Sequence, residues 1–198
     1  MIKGWVIRIW QRTKMKTVSS TSNVARQMEQ RLAGLISTYG DTALLKVILN
    51  AVEASDCELG NGSHSPSRKD WEVNPRTLLT VLAYCYAVEI YPPEDIEDAI
   101  DEHPAVSYLA TRNALPATAI RRFRREHRAL LARTLTSFFE GIWVVAESGV
   151  DPTQVNPAAL GELKATANLS PAMRLQFARL AEEHIHLAIL WDGPALRD

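Results

Sequence analysis

The sequence predicts an all-α protein, a helical bundle containing a helix-turn-helix-like unit, and three observations carry that prediction. Ala and Leu supply 47 of the 198 residues while Gly and Pro together supply 19, a bias toward helix formers and away from turn-rich sandwiches and barrels. Helix starts with proline at the first helical position recur, at Asn74-Pro75, Pro93, Pro104 and Ser170-Pro171. No segment shows the polar–apolar alternation of a half-buried strand. The length suits one domain with appendages, and 46% hydrophobic with 23% charged residues argues against wholesale disorder.

The elements follow in order. Residues 1–21 form a basic leader with five cations between Met1 and Lys16 and no acid. Its apolar residues Trp5, Val6, Ile7 and Ile9 are interrupted and followed by Arg8, Arg12, Lys14 and Lys16, so it does not read as a secretory signal, and Met15 is an alternative start. Trp5 and Trp10 are suited to stacking on bases or entering an interface. Residues 22–56 hold a helical pair. Ser22 or Asn23 caps a helix carrying Val24, Met28, Leu32, Leu35 and Ile36 and ending near Gly40; Asp41 caps a second with Leu44, Leu45, Ile48, Ala51 and Val52. Residues 57–73 are a polar loop with Gly60-Asn61-Gly62 and Ser65-Pro66-Ser67.

Residues 74–148 make the central helical domain. Asn74-Pro75 opens an apolar helix through Val88, Pro92-Pro93 stops it, and a short acidic helix covers Glu94 to Asp101. Pro104 opens another short helix through Leu109, and Thr118 caps a long helix running to about Glu147. Residues 149–169 read as a linker, and residues 170–198 as an amphipathic C-terminal helix.

Several functions are set aside by composition. Cys57 and Cys85 have no CxxC spacing, which excludes a disulfide framework and a zinc ribbon and fits a reduced, cytoplasmic chain. No uninterrupted apolar run reaches the roughly 18 residues of a membrane span. There is no Gly-rich phosphate loop. His184 and His186 lie two apart and cannot face one way on a helix, so with Glu182 and Glu183 they make a poor metal site, and Cys85 sits in an apolar helix as a core residue. No cofactor is expected.

Charge is strongly segregated despite a net charge of −1. Seven acids and no cation lie between Glu89 and Glu102; seven arginines and one acid, Glu126, lie between Arg112 and Arg133. All seven cations of this block are Arg, the side chain whose planar fork grips phosphate and guanine. On one continuous helix, Ile120, Phe123, Leu130, Leu131, Phe138 and Ile142 share a core face. Arg121, Arg124, Arg125 and Arg128 share the adjacent arc, with Arg122 at its edge. A basic helix preceded by a short helix and a tight turn has the layout of a helix-turn-helix reader. In the competing arrangement the arginines pair with the acidic helix Glu94 to Asp101.

The same region carries a resemblance. Asn74-Pro75-Arg76-Thr77-Leu78-Leu79 with Tyr84 and Tyr86 is followed by Ile96-Glu97-Asp98-Ala99-Ile100 and Tyr108-Leu109. Leu115-Pro116 and Ile120-Arg121-Arg122-Phe123-Arg124-Arg125-Glu126-His127 then complete the order. This stretch resembles the N-terminal domain of bacterial DDE-class insertion-sequence transposases, with Arg-Phe-Arg its most specific element. It departs from the family pattern where Pro92-Pro93-Glu94 replaces Ser-Ser-Arg and Pro116-Ala117 replaces Pro-Asp. The family's RNase H-like catalytic half is missing: Val150-Asp151-Pro152-Thr153 is the nearest echo of its first carboxylate motif, and nothing after it provides the strands or the remaining catalytic acids. The resemblance implies a DNA-binding protein, either a truncated transposase or a stand-alone regulator of transposition, and not an enzyme. Its expected DNA-binding residues are Arg112, Thr118, Arg121, Arg122, Arg124, Arg125 and Arg128. Its expected partners are double-stranded DNA and a second copy or a separate catalytic transposase subunit, with no membrane, in a cytoplasmic, nucleoid-associated setting. The alternative is a helical protein–protein interaction module whose arginines serve intramolecular salt bridges.

Overall fold

The computed structural model describes residues 23–55, 73–111 and 113–192. The basic leader, the polar loop up to residue 72 and Arg112 lie outside the described residues. The described residues form helices and no strand: α1 (Asn23–Ser55), α2 (Pro75–Ala87), α3 (Pro93–Glu102), α4 (Pro104–Leu109), α5 (Ala117–Glu126), α6 (Arg128–Ser148), α7 (Pro157–Thr166) and α8 (Pro171–Leu190). The all-α class is therefore correct.

The local signals act as expected in most places. The Asn74 side chain accepts a hydrogen bond from the Arg76 N–H at 2.9 Å, and the Ser170 hydroxyl accepts from the Met173 N–H at 3.2 Å, each just before a proline-led helix. Gly40, at φ 69° and ψ 168°, leaves the helical region and divides α1 into the two helices its sequence implies. Gly149 closes α6 in the left-handed conformation, a common helix stop.

Three expectations need correction. The single long helix from Thr118 is two, because His127 (φ −115°, ψ 28°) interrupts it. No proline or glycine marks this break. The two halves pack on different neighbours, α5 on α2, α3 and α8, and α6 chiefly on α1 and α8, which one straight rod would not satisfy. Thr118 is not the cap. Pro116 holds that position without a side-chain bond, and Glu97 of the acidic helix accepts from the Ala117 N–H at 3.3 Å instead. The linker 149–169 contains α7, capped by Asn156, whose side chain accepts from the Ala159 N–H at 2.8 Å.

The core is one apolar cluster drawn from every helix except α3's outer face and the solvent sides of α7 and α8. Its centre is the α1–α6 pair, with Val47, Ile48, Leu131, Leu135, Phe138 and Ile142 all inaccessible to solvent. By length and composition, Ala25–Ser55 and Arg128–Ser148 each reach the mean hydropathy of a membrane span, 1.3, which counting uninterrupted apolar runs did not register. Here the two pack against each other.

Candidate nucleic-acid interface

The arginine arc exists, and it faces the C-terminal helix. Arg124 has no solvent-exposed surface. Its Nε donates to Asp192 at 3.0 Å, its Nη2 makes a second bond to the same carboxylate, and its Nη1 donates to the Tyr91 carbonyl at 3.1 Å. The Tyr86 hydroxyl lies 3.5 Å from Nη1. Burial alone would lower the Arg124 pKa; the bonds to Asp192 and Tyr86 more than offset it, so the guanidinium is held charged. Burial pushes the Tyr86 phenol up to about 12, against the pull of Arg124.

Two neighbours of Arg124 on α5, Arg121 and Arg125, turn the same way. Arg125 Nε lies 3.4 Å from Asp192, and Arg121 Nε lies 3.6 Å from it while Arg121 Nη2 pairs with Glu94. Arg122 pairs with Glu126 one turn along at 2.9 Å. Arg128, at the start of α6, makes two bonds to Glu182 of α8, at 2.8 and 3.2 Å. The five arginines thus divide by depth. The Arg121 and Arg124 side chains are 18% and 0% exposed, whereas Arg122, Arg125 and Arg128 are 48%, 42% and 49% exposed.

This corrects the expected contact set. Arg124, assigned to phosphate, is a core residue, because α8 brings a carboxylate onto it from 68 residues away. The acidic helix contributes only one of these pairs, Glu94 to Arg121; the other acids come from Glu126, Glu182 and Asp192. Thr118 is exposed in the first turn of α5. Arg112 lies outside the described residues. The connection between α4 and α5 occupies residues 110–116, longer than the three or four residues of a helix-turn-helix turn, and includes the β-branched Thr111 at φ 53°.

The remaining sequence candidates are structural. His184 is buried, with Nδ1 2.8 Å from the Tyr86 carbonyl and 2.9 Å from the Tyr91 hydroxyl. Burial pushes its imidazole down to about 4, and the Tyr86 carbonyl works weakly the other way. Cys85 is fully buried and its thiol is pushed up by burial, the opposite of an activated nucleophile. The Asp151 carboxylate accepts from the backbone and hydroxyl of Thr153, both at 2.8 Å, which makes it a turn residue. No cluster of three metal-ligating side chains occurs among the described residues.

Sequence reasoning missed Asp192, the residue that organises the arginines. Nothing in its local context, Trp191-Asp192-Gly193, distinguishes it. In comparisons with protein-family models, curated proteins and solved structures, the chain matches none.

Proposed function

We propose that the protein binds double-stranded DNA as a transposase N-terminal-like chain, and that Arg122, Arg125 and Arg128 make its phosphate contacts. The observation supporting this is the exposure of those three side chains, 48%, 42% and 49%, around the α5–α6 junction. Arg122 and Arg128 are met by surface carboxylates, and such exposed pairs are worth about 0–1 kcal/mol, so phosphate can replace them. Arg125 holds Asp192 only at 3.4 Å. The resemblance across Asn74–His127 supports the same reading, which carries with it a cytoplasmic, nucleoid-associated location and, as a partner, a second copy or a separate catalytic subunit. Three contacts predict a slope of log affinity on log salt of about −2.7, at roughly 0.9 per phosphate. Replacing all three arginines with alanine should flatten that slope. A wild-type protein that fails to shift duplex DNA at low salt, or a triple variant that binds unchanged, overturns the reading.

A second reading, the helical interaction module, is favoured by one specific observation: each of the five arginines already has a carboxylate partner in its own chain. In that case Leu175, Leu190 and Trp191, exposed on and after α8, are the contact surface. Sedimentation velocity on Leu190→Ser/Trp191→Ser separates the two, since only this reading predicts loss of an assembly with no DNA binding by either protein.

A further inference from the structure

The environment of Asp192 is unusual for a residue two positions beyond the last helical residue. It is 2% exposed, and its two oxygens face the guanidiniums of Arg121, Arg124 and Arg125. One carboxylate does not satisfy three forks. Arg121 Nε is buried with no hydrogen-bond partner among the described residues, 3.6 Å from the nearest Asp192 oxygen. Among the described residues, even with Glu94 included, the three cations outnumber their carboxylates by one. Apolar packing ends before the turn does: Ala188 is buried and Ile189 packs on the core, but Leu190 is 60% exposed and Trp191 52%. Its local bonds are Trp191 N–H to the Ala188 carbonyl at 3.2 Å and Asp192 N–H to the Ile189 carbonyl at 2.9 Å. Beyond Ile189 the chain is therefore held chiefly by the Asp192 carboxylate on the arginines, a hold that a competing anion can replace.

From these observations we infer that Arg121, Arg124 and Arg125 form an oxyanion site occupied by the chain's own Asp192, and that the last turn of α8 is a latch displaced by phosphate. A phosphate group carries more charge and more acceptor oxygens than a carboxylate and suits the planar forks of arginine. The inference rests on the DNA reading only for the polymer that would carry the phosphate. Inorganic phosphate tests the site itself.

The experiment compares wild type with Asp192→Asn in sodium phosphate and in sodium chloride of equal ionic strength. For millimolar affinity, 50 mM phosphate should raise the melting temperature of Asp192→Asn by about 5 °C over chloride, and that of wild type by less than half as much. Amide exchange at residues 188–192 of wild type should accelerate in phosphate alone, a readout that stands even if the variant folds poorly. Equal stabilisation of both proteins, no phosphate-specific shift in a folded variant, or unchanged exchange in wild type overturns the latch. Duplex DNA forms the last arm: freeing Arg121 and Arg124 should steepen the salt slope of Asp192→Asn by about 1.8. A phosphate shift with no duplex binding by either protein keeps the latch and rejects the DNA reading. Duplex binding insensitive to Asp192, without a phosphate shift, does the reverse.

Discussion

The α1–α6 seam and the α5–α8 seam both exclude solvent, yet they are held by different physics. Between α1 and α6 the buried contacts are chiefly apolar, with an exposed Arg31–Glu147 pair and a 3.2 Å Thr134–Ser55 hydrogen bond beside them, and a small residue sets the spacing: a Cβ added at Gly141 would sit 2.8 Å from Val47 Cγ1 and 3.6 Å from Leu160 Cδ2. Dispersion and hydrophobic burial there are spread over many atoms, and no single pair is obligatory. Between α5 and α8 the contact is a doubly bonded Arg124–Asp192 pair, with His184 on the Tyr86 carbonyl close by. Each polar partner there is costly to lose, because its mate is left buried and unpaired. The comparison separates tolerance of shape from tolerance of chemistry.

The largest expected effect probes the polar seam. Arg124→Ala removes two bonds from the buried Asp192, leaving it only the longer contacts of Arg125 and Arg121, strands the Tyr91 carbonyl, and should cost about 3 kcal/mol, measured by urea unfolding. A loss below about 1 kcal/mol would place this seam alongside the surface pairs. Next comes pH. His184 titrates near 4 when folded and near 6.5 in its ordinary state, so the unfolded chain binds the extra proton first as pH falls. Its contribution is fully present above about 6.5, declines as pH drops through that window and is exhausted below about 4. The total is about 3 kcal/mol. Melting profiles of wild type and His184→Gln should converge at low pH; parallel profiles would remove His184 from the account.

Smaller effects test the apolar seam and the surface. In Gly141→Ala, overpacking against the rigid Val47 is partly offset by better helix propensity, leaving a loss of about 1–2 kcal/mol. Adding Val47→Ala should recover part of that loss, and a double-mutant cycle reads the coupling directly. Smallest of all is Arg128→Ala, below about 1 kcal/mol, since Arg128 and Glu182 are both about half exposed. A loss there matching that of Arg124→Ala would mean that exposure does not set the worth of these pairs.

The same contrast explains what could be read from the sequence. Ile120, Phe123, Leu131, Phe138 and Ile142, placed on one face by periodicity, are all buried, and the Asn74 and Ser170 caps act as expected. Such signals are local, lying within four residues of what they specify. Asn156-Pro157 is the same signal as Asn74-Pro75 and marks α7, overlooked within a stretch read as linker. The arginine arc was legible too, but its direction was not. Whether Arg124 meets solvent or a carboxylate depends on a residue 68 positions away, and the His184 contact spans 98. Periodicity also could not show the break at His127, which carries no proline or glycine and follows from packing on different neighbours.

The separation of Arg124 from Asp192 also has a consequence in time. A ribosome adding roughly 5–20 residues per second takes about 3–14 s to make the 68 residues between them. Throughout that interval the nascent chain carries Arg121, Arg124 and Arg125 without the carboxylate that will cover them, a few nanometres from the polyanionic surface of ribosomal RNA. Early collapse of α1 onto the incoming α6 needs no such partner. The α1–α6 contacts can thus form before α8 is made, whereas Arg124 gains its carboxylate only with α8, so slowing or pausing translation within α8 would prolong a state in which that guanidinium lacks its carboxylate.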